Sequence, residues 1–239
     1  MSSSHFNPLG PAHFSFQETG PKSTNQHAIH VGVFFATREG HTQRIAERIA
    51  ADLRTLGFDV DLLAVRRPLP LPLRSYSAAV LAASVHGGGH EHEMVRFVKE
   101  HRLELERIPT AFLSVTLSEA GAEMREKSTA EHAQFANDVD AMLRRFFHET
   151  QWHPTMAKPI AGALLYRHYN FFVRLIMKRI AKKVGAATDT SRDYDYTDWV
   201  ELHKFVGDLA AEIRSVSDTL VALTQHRQIS APARTESHA

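Results

Sequence analysis

The stretch Ile29-His30-Val31-Gly32-Val33-Phe34-Phe35, followed by Ala36-Thr37-Arg38-Glu39-Gly40-His41-Thr42, decides the fold. Its first seven residues are rich enough in β-branched and aromatic side chains for a short strand. From Thr42 the period changes: Ile45, Ile49, Leu53 and Leu56 stand at helical spacing, and Gly57 is a suitable C-terminal stop. The chain therefore passes from strand through a hydroxyl-bearing turn into a helix.

The same alternation extends outward. Phe58 to Leu63 alternates apolar and charged residues, as an edge strand does, and Pro68, Pro70 and Pro72 then interrupt regular structure. Ala78 to Ala83 is a continuous apolar run suited to a strand buried on both faces. A glycine loop follows, then a helix around Glu91–Arg102, a buried strand at Ala111–Val115 and a fifth strand at Ile160–Leu164. Asp198 and Glu201 have capping-box spacing at the start of a closing helix that runs toward Leu220. The pattern predicts an α/β fold, a doubly wound five-stranded parallel sheet with helices on both faces.

Residues 1–27, rich in Ser, Pro, Gly and Asn, read as a flexible extension, and 223–239 as a flexible tail, leaving one domain at 28–222. Within it, 118–150 reads as a long acidic insertion and 165–185 as a basic amphipathic segment. The absence of cysteine excludes disulfides, iron–sulfur clusters and thiol nucleophiles, so electrons, if moved, travel on a bound cofactor. With 28 Lys+Arg against 27 Asp+Glu, no global charge draws the chain to nucleic acid, and no companion motif supports that partner. No secretory signal and no apolar run of membrane-spanning length is visible, which leads to the expectation of a cytoplasmic protein.

In such sheets ligands bind beyond the carboxyl ends of the strands, where strand order reverses. The turn after the first strand offers two hydroxyls, a glycine and a helix N-terminus, a suitable seat for a phosphate. It is neither G-x-G-x-x-G nor an NTPase P-loop. Thr37 and Thr42 acting only as helix caps is the competing reading. His86, His90 and His92 around Gly87-Gly88-Gly89 raise a metal site or an esterase oxyanion loop; no G-x-S-x-G elbow supports the latter.

The loop T-R-E-G-H-T resembles the phosphate loop of flavodoxins. With Phe35–Thr42, the stretches Ala83–Val85, Ala111–Leu117, Ile160–Leu164, Leu175–Lys178 and Tyr196–Trp199 resemble the menaquinone-dependent protoporphyrinogen IX dehydrogenases, a flavodoxin-like family of haem biosynthesis. The likeness spans about His27 to Leu220. It implies an enzyme that uses FMN to oxidise protoporphyrinogen IX and passes electrons to menaquinone or another quinone. It further implies that Thr37, Arg38, Glu39, Gly40, His41 and Thr42 hold the FMN phosphate. Ser84, Val85, His86, Gly87 and Gly88 would run along the flavin ring, with Ser114, Val115, Thr116 and Leu117 at its other edge. The family carries an aromatic residue after the third strand, where this sequence has Gly87, Gly88 and Gly89. A flavodoxin-like NAD(P)H:quinone reductase, an electron-transfer flavodoxin and a flavodoxin fold that binds no flavin and acts as an interaction module are the alternatives.

From Thr150 to Thr188 there is no acidic residue. A helix from Phe171 to Val184 would gather Phe172, Val173, Ile176, Met177, Ile180 and Val184 on one face. Arg174, Lys178 and Lys182 would lie opposite, with Arg179 and Lys183 at the border. Such a helix suits a membrane interface, and a lipid-soluble quinone acceptor agrees with peripheral association at the cytoplasmic face of the inner membrane. A solvated basic face on a sheet-packed helix is the competing reading. Tyr166 and Arg167 are the expected substrate contacts, Arg167 pairing with propionates.

Overall fold

A computed structural model describes residues 29–119, 129–168, 178, 181–182 and 186–229. Strand β1 (His30–Ala36) leads to helix α1 (His41–Thr55), β2 (Asp59–Ala64), β3 (Ala78–His86), the short β4 (Gly89–His90) and α2 (His92–Leu105). Then follow β5 (Thr110–Thr116), α3 (Thr129–Thr150), β6 (Met156–Ala161), β7 (Ala163–Leu164), β8 (Tyr194–Asp195) and α4 (Trp199–Ile229). Five parallel strands stand in the order β2-β1-β3-β5-β6, so the order reverses between β1 and β3. That is the doubly wound arrangement, with β2 on an edge as its alternation predicts.

Strand pleating divides the core into two layers. Val31, Val33 and Phe35 face α1 and α4 through Ile45, Ile49, Leu53, Val206 and Leu209. Phe34 and Ala36 point the other way, against Met94, Phe97 and Val98 of α2 and Phe146 of α3. At Gly32 an added Cβ would sit 2.4 Å from the Phe34 ring, so glycine is required by close approach. Asp198 caps α4, its Oδ1 accepting from the amides of Val200 (3.0 Å) and Glu201 (2.9 Å).

Three expectations need correction. The fifth strand begins at Met156 and ends at Ala161; the predicted Ile160–Leu164 run is broken at Gly162. Its second half, Ala163–Leu164, pairs antiparallel with β8 instead. Lys158 and Pro159 lie within β6, an edge strand, where a missing amide and a partly solvated face are tolerated. Residues 129–150 are not an insertion: they form α3, the crossover helix between β5 and β6. Phe135, Val139 and Phe146 are buried at helical spacing, a stripe masked by the surrounding polar residues. Helix α4 continues to Ile229, into the segment expected to be a tail. Beyond Ile213 its apolar residues leave the core (Leu220, Val221 and Leu223 are exposed), so the loss of amphipathic pattern marks the end of packing, not of the helix. The predicted extension at 1–27 and most of the predicted basic helix lie outside the described residues.

Candidate functional site at the carboxyl ends of β1, β3 and β5

The β1–α1 turn is built around Gly40, which N-caps α1 with φ +92°, a left-handed conformation that favours glycine. Thr37 Oγ1 accepts from the Gly40 amide at 3.0 Å and so holds the turn closed. Among the described residues no side chain caps α1, leaving its first-turn amides without one. Thr42 is buried, and among the described residues its hydroxyl has no hydrogen-bond partner. A buried hydroxyl and open amides at the positive end of a helix are a donor set for an oxyanion.

Neighbouring His41 is buried beneath this turn. Thr197 Oγ1 donates to the Ala161 carbonyl (2.8 Å), so at 2.8 Å it accepts from His41 Nε2–H, which fixes the ring tautomer. Burial lowers the His41 pKa; Asp195, 3.5 Å from Nε2, opposes that shift and Arg44 adds to it.

The glycines after β3 form a β-hairpin. Val85 pairs with His90 and His86 with Gly89, leaving Gly87 and Gly88 as a two-residue loop with φ of +59° and +79°. Positive φ at both central positions is what a type I′ turn demands, which explains glycine there. His86 and His90 diverge. His86 Nε2 lies 3.0 Å from Glu39 and 3.4 Å from Glu91, whereas His90 packs against Phe112 and Phe146 with Nε2 2.8 Å from Ser114 Oγ. Burial lowers the His90 pKa to about 4. Among the described residues no group of three His, Asp or Glu is placed to hold a metal ion.

Between turn and hairpin opens a cleft of about 220 Å³. Thr37, Glu39, His41 and Thr42 form one end; Ser84, Val85, His86, Gly87 and Gly88 form a wall. Val115, Thr116 and Leu117 close the other side, with Ser118, Met142, Gly162, Ala163 and Leu165 beyond them. The cleft lies at the carboxyl ends of the strands flanking the reversal, where open α/β sheets bind ligands.

A flavodoxin-domain family model matches residues 32–191. Protoporphyrinogen IX dehydrogenase [quinone] of Escherichia coli strain K12 is 34% identical over 178 residues, covering 74% of this chain and 93% of that protein. The chain belongs to this family. The similarly named protein of Leishmania major is 32% identical over 180 residues, 75% of this chain and 74% of that one. Among solved structures, a flavodoxin from Pseudomonas aeruginosa aligns at 12% identity and TM-score 0.43, covering 77% of this chain and 99% of that one. Fusobacterium nucleatum flavodoxin bound to flavin mononucleotide aligns at 12% identity and TM-score 0.38, covering 78% and 97%.

Most of the residues that the family likeness singles out line the cleft together, and the exceptions have physical reasons. Arg38 is exposed and turns to Glu91, Nη2 to Oε2 at 3.1 Å. Gly40 contributes backbone only. Ser114 lies deeper in β5, fully buried, its hydroxyl committed to His90. Tyr166, expected at the substrate, is fully buried, and its hydroxyl donates to the Ala187 carbonyl at 2.8 Å; it is a core residue. Arg167 is exposed and outside the cleft lining, with its amide on Asp193 Oδ1. Lys178 and Lys182 are exposed in helical backbone; Arg174, Arg179 and Lys183 lie outside the described residues.

Sequence reasoning missed Glu91, Asp195 and Thr197. Glu91 is buried at the start of α2, accepting from Ser84 Oγ (3.1 Å) and Arg38. Nothing in the local pattern distinguishes it from a solvated helix cap. Thr197 lies in the Tyr196–Trp199 stretch, whose resemblance to the family was visible without showing that it clasps His41.

Proposed function

We propose that this chain is an FMN-dependent enzyme that oxidises protoporphyrinogen IX to protoporphyrin IX and delivers the electrons to a quinone of the menaquinone type, a step of haem biosynthesis. The substrate and acceptor follow from relatives a third identical across nearly their whole length. The observation that carries the cofactor is the buried Thr42 hydroxyl, without a hydrogen-bond partner among the described residues, at a helix N-terminus that none of their side chains caps; it fits a terminal phosphate. The residues from Thr37 to Thr42 hold that phosphate, Ser84–Gly88 lie along the flavin ring, and Val115–Leu117 take its far edge. Bound FMN supplies a two-electron acceptor in a chain without cysteine, so removing six hydrogens takes three turns.

Exposed Arg167 pairs with the propionates; Arg167→Ala raises the KM for porphyrinogen and leaves FMN occupancy intact, and an unchanged KM removes that role. The acid-free segment around Lys178 and Lys182 brings the enzyme to the anionic cytoplasmic face of the inner membrane, where its quinone resides. No helix among the described residues is long and apolar enough to cross a membrane, in keeping with peripheral contact. Pelleting with anionic vesicles tests this, and protein that stays in the supernatant refutes it.

The decisive experiment records the visible spectrum of purified protein and assays anaerobic porphyrinogen oxidation with and without quinone. The expected outcome is a yellow protein whose turnover requires the quinone. A yellow protein inert toward porphyrinogen but rapidly reduced by NAD(P)H would instead make it a quinone reductase.

A further inference from the structure

The titratable side chains among the described residues lining the cleft are Glu39, His41 and His86. They differ in what they are free to do. His41 is buried, with Nε2 committed to Thr197. Glu39 is held to His86 at 3.0 Å. His86 keeps 23% of its side chain exposed and stands on the cleft wall where β3 ends.

The surroundings of His86 are asymmetric. Its Nε2 lies 3.0 Å from Glu39 Oε2 and 3.4 Å from Glu91 Oε1, yet neither contact has hydrogen-bond alignment, so no rigid bond holds the ring. Glu91 is itself fixed: its side chain is 2% exposed, Ser84 Oγ donates to Oε1 and Arg38 Nη2 to Oε2. Two carboxylates beside Nε2 keep the proton of a neutral ring on that nitrogen and leave Nδ1 as the basic one. The hairpin beyond brings no side chain over the ring, since Gly87, Gly88 and Gly89 stand beside open space. On α3, Arg145 is engaged with the Gly88 carbonyl at 3.4 Å.

We propose that His86 is the proton acceptor of porphyrinogen oxidation and that Glu91 is its positioning residue. The inference rests on the function proposed above and deepens it. Each two-electron turn removes two hydrogens from the tetrapyrrole. One leaves a bridging carbon with its electron pair, the two-electron change that FMN, when bound, would accept and hand to the quinone. The other leaves a pyrrole nitrogen as a proton, which His86 Nδ1 accepts and releases to solvent through its exposed edge. Three such turns account for all six hydrogens, and the quinone takes up two electrons and two protons each time. A histidine whose far nitrogen faces a buried carboxylate is the arrangement general-base chemistry uses.

The test is steady-state oxidation of protoporphyrinogen IX by the FMN-loaded enzyme, run anaerobically with a soluble menaquinone analogue across the neutral pH range. His86→Gln lowers kcat by about a hundredfold, within the range of a lost general base, and gives a pH profile of kcat different from that of wild type. Its FMN affinity, read by quenching of flavin fluorescence, falls far less than kcat, which separates the role from cofactor binding. Glu91→Gln lowers kcat less. A His86→Gln enzyme with wild-type kcat, one with an unchanged pH profile, or one whose loss of kcat is matched by its loss of FMN overturns the assignment. A wild-type holoenzyme that does not oxidise the porphyrinogen at all overturns the function and this inference with it, a result distinct from an active wild type with an equally active variant.

Discussion

At the scale of single residues, the site is a set of buried polar groups whose partners are either present or missing. Thr42 is the clearest case of a missing one. Thr42→Val keeps shape and burial but removes the hydroxyl, so the fold persists while FMN affinity falls. A hydrogen bond to a charged group contributes about 1.5–3 kcal/mol, so titration should show a loss of roughly tenfold to a hundredfold. An unchanged affinity would mean that Thr42 is only packing. His90 shows the opposite case, a polar ring satisfied inside the aromatic layer. Its folded pKa of about 4 lies below the ordinary value near 6.5, so the unfolded chain binds the extra proton first as pH falls. The stability this neutral ring contributes is complete above about pH 6.5 and is lost toward pH 4, by about 3 kcal/mol in all. His90→Gln therefore flattens the dependence of urea-unfolding free energy on pH in that window; a slope equal to wild type would contradict the account.

At the scale of elements, period and punctuation decided what was legible. Helix α1 and strands β1, β3 and β5 were readable because their apolar residues keep one period from end to end and glycine or polar turns bound them. The hairpin was not: three consecutive glycines look like a flexible loop until the register Val85–His90 shows a turn with two positive-φ positions. Helix α3 was hidden by its polar majority, although one stripe anchors the second layer. Phe146 stacks on Phe112 with centroids 4.3 Å apart and planes 7° apart, and both rings stand edge-on to buried Trp152. Phe146→Ala should cost about 3–5 kcal/mol through lost transfer energy and the cavity left behind. Chemical denaturation measures it, and a loss below about 1 kcal/mol, less than that range allows, would place α3 outside the cooperative core.

At the scale of the whole molecule, distant parts of the chain close the site. His41 and Thr197 are 156 positions apart, and their contact ties the phosphate turn to the end of β6 through the Ala161 carbonyl. Thr197→Val strands both partners; leaving buried polar groups unpaired costs about 1–3 kcal/mol, and the loosened turn holds FMN less tightly. A lowered unfolding midpoint together with weaker FMN binding is the expected pair of results, and wild-type values for both would show the clasp to be incidental. The alternation of strand and helix from β1 to β5, the helices on both faces and the hydroxyl-bearing turn before α1 were determined by the sequence alone, because periodicity and turn chemistry act between neighbours. Which hydroxyl lacks a partner, which histidine faces two carboxylates and which expected ligand is a core tyrosine were decided only by the tertiary structure. Those properties depend on what remote segments place beside a residue, and local pattern carries no record of that.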